Sequence, residues 1–113
     1  MLKLPDSICI AGINWSVEIT DDVDAAWGEC DFNEFTIKLH EKMFEEEGDD
    51  TFALSVFIHE VVHAVFWTVP VLKKAVESVG EEAFIDTFAS VFSDTLMRNE
   101  LIKMESFYDR KTN

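Results

Sequence analysis

Thr51-Phe-Ala-Leu-Ser-Val-Phe-Ile-His-Glu-Val-Val-His-Ala-Val-Phe-Trp67 is the stretch on which the fold turns. It is apolar nearly all round, which predicts a single helix buried on most of its sides. Only His59, Glu60 and His63 break its apolar centre. Positions i and i+4 share a helix face, so both imidazoles can reach one metal ion. Glu60 lies about 100° round the helix from His59, where it can touch a metal-bound water without replacing it. Two neutral nitrogens, a carboxylate beside the water and an open coordination position are what hydrolysis on Zn²⁺ requires. Two histidines and a glutamate are expensive to bury unpaired in so apolar a helix. The competing account is two satisfied core histidines beside a chance glutamate. The metal account is preferred because all three sit within one apolar helix.

Working outward, 113 residues predict one domain, 1–113, with a real core. The hydrophobic share of 48% and ten Phe fit a globular chain. The longest apolar region is broken by the two histidines and Glu60, so no membrane span is expected. The start, Met-Leu-Lys-Leu-Pro-Asp, lacks the long apolar core of a signal peptide, so a cytoplasmic protein is expected. A net charge of -14 argues against nucleic acid and against anionic membrane surfaces. A basic partner is permitted, although solubility alone accounts for the charge. Cys9 and Cys30 form no C-x-x-C pair; they are expected on neighbouring strands, as free, half-buried thiols.

Upstream, Ile8-Cys-Ile-Ala-Gly-Ile-Asn-Trp-Ser-Val-Glu-Ile19 alternates with a break at Ala11-Gly12, which predicts a hairpin. A second strand region covers 26–32. Asn33-Glu34 is a candidate tight turn. Phe35, Ile37 and Leu39 then share one strand face. The first third thus predicts a small antiparallel β-sheet of about three or four strands, and the whole an α+β fold. The acidic stretch 41–50 leads into the central helix, with Asp50 or Thr51 as N-cap. A Ca²⁺ loop is not expected there, because the alternating acidic spacing is missing. Downstream, Pro70 ends the helix or opens the next segment. Val71 to Val79 fits a short amphipathic helix with Gly80 after its end. A last helix is expected from about Glu81 to Met104, with Phe84, Ile85, Phe88, Val91 and Phe92 in helical period.

A catalytic zinc site has three protein ligands and a water. His40 is one candidate for the third, although an exposed strand-end histidine is the simpler account of it. Glu81 and Glu82 are stronger. They open a helix one short helix downstream of the motif, where acidic residues are also ordinary dipole chemistry. Glu82 and Asp86 are i,i+4 on one face. The glutamate can bind the metal while the aspartate accepts a hydrogen bond from a liganding histidine. Glu81 instead shares its face with Phe84, Ile85 and Phe88. Glu82 is therefore chosen, with Glu81 as the alternative.

His59-Glu-Val-Val-His63 followed by Glu81-Glu-Ala-Phe-Ile-Asp-Thr-Phe-Ala89 resembles the minimal gluzincin pattern of small bacterial and phage metallopeptidases of the ImmA/IrrE-like type. Trp27-Gly-Glu-Cys-Asp-Phe-Asn-Glu-Phe-Thr-Ile-Lys-Leu39 is similar to the strand pair those proteins place before the active-site helix. The resemblance covers about 8–100. The chain departs from it at Phe84, where those proteins tend to carry a glutamate. It implies a sheet packed on an active-site helix in a zincin-like domain. It also implies Zn²⁺ held by His59, His63 and Glu82, with Glu60 as general base, and hydrolysis of a peptide or protein substrate. An edge strand near Phe35 to Leu39 is expected to hold that substrate. Tyr108 and His40 are candidates for oxyanion stabilisation. The alternative is a non-catalytic metal-binding interaction module, for which Cys9 or Cys30 would serve as a fourth ligand.

Overall fold

Alternation of apolar and polar residues builds the N-terminal half. The computed structural model describes residues 2–24, 26–45 and 50–98, with side chains followed as far as Ser93. Strand β1, Ser7–Ile10, turns at Ala11 and Gly12 into β2, Ile13–Thr20. Both turn residues have positive φ, 50° and 85°, the mark of a type I′ turn that suits the twist of a hairpin. Along β2, Trp15 and Val17 are buried while Asn14, Ser16 and Glu18 face water. Strands β3, Gly28–Asp31, and β4, Thr36–His40, form a second hairpin. Its turn covers residues 32–35, longer than the tight Asn33-Glu34 turn expected. Asp31 Oδ1 accepts from the Asn33 and Glu34 amides at 3.1 Å each and shapes that turn.

The sheet is mixed, not antiparallel throughout. Its order is β1-β2-β4-β3, and β2 runs parallel to β4, with Ser16 opposite Thr36 and Thr20 opposite His40. The second hairpin docks through its more apolar strand. An interior strand has both backbone edges paired and one face covered by the core. Strand β4 supplies Ile37 and Leu39, both fully buried, whereas β3 carries Glu29 and Asp31. This order puts Cys9 and Cys30 on strands at opposite edges of the sheet, not on neighbours; both are free.

Helix α1, Asp50–Thr68, lies between the sheet and the last helix. Ala53, Leu54, Phe57 and Ala64 join the sheet-side core with Trp15, Ile37 and Leu39. Asp50 is the first helical residue, and its carboxylate accepts from the Leu2 amide at 3.2 Å. By length and composition alone α1 is apolar enough to cross a membrane, as buried core helices often are; within the fold it is the helix on which both neighbours pack. Pro70 opens α2, Pro70–Val76, at the helical position where its missing N–H costs nothing. The amphipathic face expected there is barely used: Val71 and Leu72 are exposed, and Val76 alone packs partly inward. Gly80, at φ 86°, turns the chain into α3, Glu81–Arg98. The expected continuation to Met104 lies outside the described residues. The radius of gyration is 13.8 Å, near the ~13 Å of a compact chain of this length.

Candidate metal centre

Helix α1 presents His59 and His63 one turn apart, and their Nε2 atoms stand 3.2 Å from each other. Two ligands bound at ~2.0–2.1 Å to one tetrahedral zinc are separated by about 3.3 Å, so the pair is spaced as a ligand pair. Glu82, in the first turn of α3, closes the group. Its Oε1 lies 2.8 Å from His59 Nε2 and its Oε2 lies 3.2 Å from His63 Nε2. One ligand atom from each of His59, His63 and Glu82 falls within 4.8 Å of the others.

The opposite ring nitrogens are engaged as well. His59 Nδ1 is 3.0 Å from Asp86 Oδ1, and His63 Nδ1 is 3.3 Å from Glu81 Oε1. A carboxylate only accepts, so each Nδ1–H donates. That tautomer turns the Nε2 lone pairs of both rings toward Glu82. Lone pairs and a carboxylate facing one another at these distances repel unless a cation or proton sits among them. The donor set therefore fits a divalent metal of the zinc type.

Glu60 leaves α1 on the side of the sheet and is buried. Strand β3 passes over it at Gly28. A Cβ at Gly28 would stand 2.9 Å from Val56 Cγ1, 3.0 Å from Glu60 Cγ and 3.2 Å from Glu60 Oε2. Glycine is what permits this approach. Burial raises the Glu60 carboxyl above its ordinary range; His59, His63 and a Cys30 contact pull it back, and Glu82 adds to the rise. The Cys30 thiol donates to the Glu60 carbonyl at 3.0 Å, and burial followed by the Glu60 charge pushes its own pKa far up. It is a protonated packing group, not a thiolate.

The structure thus brings His59, Glu60, His63, Glu82 and Asp86 to one cleft. It corrects the part given to Glu81. That residue sits above Ile85 as expected, but its carboxylate reaches back to His63, and its Oε2 lies 3.8 Å from Lys73 Nζ. A signal existed: two liganding histidines call for two outer carboxylates, and Glu81 and Asp86 are the acids flanking Glu82. His40 is elsewhere. Its Nδ1 accepts from the Lys42 amide at 3.2 Å and caps a short 3₁₀ turn, Glu41–Phe44, while its ring meets Trp27 edge to face. Cys9 is exposed on β1 and does not join the group, and Tyr108 lies outside the described residues. Nothing in the order of residues signals the closeness of Gly28 to Glu60, or the place of Trp27 and Phe52 in the cleft wall. No protein-family model, curated protein or solved structure matches this chain.

Proposed function

We propose that the chain is a zinc-dependent peptidase in which Glu60 is the general base. The observation that carries this is the convergence of His59, His63 and Glu82 at tetrahedral spacing with a buried carboxylate on the neighbouring helix position. His59 and His63, through Nε2, and Glu82 would hold the zinc, which would supply a Lewis acid and lower the pKa of water from 15.7 to about 7. Asp86 and Glu81 hold the two rings in place through Nδ1. Glu60 takes the proton of the attacking water and hands it to the amine that leaves. The substrate is a peptide or protein, and the cytoplasm is its proposed location. An extended segment is best received along β3, the outer strand beside the cleft. The expected place near Phe35 to Leu39 is interior, because β4 is paired on both sides.

The test pairs metal analysis with Glu60→Gln. Purified protein should carry about one zinc per chain and cleave an unstructured protein substrate. Glu60→Gln should keep the zinc and lose roughly 10²–10⁴-fold in cleavage. Loss of zinc in that variant would make Glu60 a ligand. Unchanged cleavage would remove it from the mechanism. A zinc-loaded wild type that cleaves nothing would leave a metal-binding interaction module instead.

A further inference from the structure

Two aromatic rings stand in the cleft outside the core. Trp27, just before β3, and Phe52, near the start of α1, are 48% and 42% exposed. They meet edge to face with centroids 5.9 Å apart and an interplanar angle of 89°. Both line the same cleft, about 690 Å³ in volume, as His59, Glu60, His63 and Glu82. Nearly half of each ring is left in water, and exposed aromatic surface costs stability at roughly 25 cal/mol per Å².

Their positions are held by the fold. Phe52 is seven residues before His59, two turns away on the same helix face and about 10 Å along the axis. The Trp27 carbonyl accepts from the His40 amide at 2.8 Å, and its ring rests against His40 with centroids 5.7 Å apart. The rings therefore form a fixed wall at one end of the cleft, with the metal group at the other. Among the described residues the rest of the lining includes the carboxylates of Glu29, Glu82 and Asp86 and no Lys or Arg. An extended peptide rises about 3.4 Å per residue, so ~10 Å spans two or three residues.

We propose that Trp27 and Phe52 form a specificity subsite that receives an aromatic side chain of an extended peptide, two or three residues from the bond held at Glu60. The cleft carboxylates reject acidic residues beside it. This rests on the peptidase function above and names its substrate class.

Zinc-loaded Glu60→Gln protein provides the test, because it holds peptides without cutting them. Fluorescein-labelled dodecapeptides built on Ser, Gln and Lys carry Phe at alternate positions, Ala at the same positions, or Phe with Asp replacing Lys. The Phe peptide should bind roughly tenfold tighter than the Ala peptide, the scale on which apolar pockets discriminate. The Asp peptide should bind more weakly than its Lys counterpart. Adding Trp27→Ala or Phe52→Ala should bring Phe and Ala peptides within threefold of each other, with zinc affinity unchanged. Trp27→Phe should keep the preference. Should Trp27→Ala disturb zinc binding, Phe52→Ala and Trp27→Phe still decide the matter. Equal binding of Phe and Ala peptides, or a preference that survives Phe52→Ala, overturns the subsite and leaves peptide binding standing. A zinc-loaded protein that binds none of the peptides overturns the subsite and the peptidase reading together.

Discussion

Between α1 and the sheet lie Trp15, Val17, Ile37, Leu39 and Leu54, each at most 2% exposed, with Leu2 and Leu4 beside them. Between α1 and α3 the fully packed group is Val62, Phe66 and Ile85, with Phe84 and Val76 partly covered. Much of the apolar surface of α3 looks away: Phe88, Val91 and Phe92 are 40% exposed or more. Yet the candidate centre draws equally on both sides. His59, Glu60 and His63 stand on the helix that also packs on the sheet, while Glu82, Asp86 and Glu81 stand on α3, whose buried apolar group among the described residues is the smaller. A light apolar seam can hold α3 in register because polar contacts across the site add to it. If the proposed centre takes up a metal, its binding and the docking of α3 are linked, because a ligand that binds the assembled state stabilises it.

The strongest way to break this contrast is to cut each seam in turn. Leu54→Ala should cost about 2–5 kcal/mol of global stability, read from denaturant unfolding, and leave zinc affinity of the folded protein unchanged. Ile85→Ala should cost less globally and weaken zinc binding, because it frees the helix that carries Glu82. Equal effects of both variants on zinc would show one cooperative core and end the distinction.

A sharper cut goes through the acids of α3. Glu82→Ala should weaken zinc binding more than either neighbour. Asp86→Ala and Glu81→Ala should each cost roughly 10–100-fold in affinity or activity, as outer partners of His59 and His63. Chelator competition ranks the three. A Glu81→Ala protein with unaltered affinity would make its 3.3 Å contact with His63 incidental.

The smallest cut is on the other side. Gly28→Ala adds one methyl against Val56 and Glu60, an overpacking that should cost about 1–3 kcal/mol and push β3 away from the proposed general base, Glu60. Stability and cleavage of this variant should fall together, with zinc retained. Cleavage at the wild-type level would mean that Glu60 is placed by α1 alone.

Much of this was legible in the residues. The hairpin at Ala11-Gly12, the buried helix and the i,i+4 pairs His59/His63 and Glu82/Asp86 all follow from periodicity within one element. What periodicity does not carry is pairing between elements. The parallel union of β2 with β4 depends on which strand of a hairpin is more apolar, a choice made only when the two hairpins meet. Glu81 shows the same limit. It shares a face with Ile85, one turn on, but a glutamate side chain is long enough to leave that face and reach His63.

The parallel pair also bears on how the molecule assembles in time. Each hairpin closes over a short turn, an event of microseconds. Joining them requires Ser16 to find Thr36 across the whole of the intervening chain, and that closure costs more entropy. Substitutions at Val17 or Ile37, where the hairpins join, are predicted to slow refolding. Substitutions at Ile85 should chiefly speed unfolding. Stopped-flow kinetics on Ile37→Val and Ile85→Val would separate the two, and unchanged refolding in the first would put the rate-limiting step elsewhere. On this order the strands commit first and Glu82 on α3 arrives last, so any metal taken up at the candidate centre would capture a fold already made.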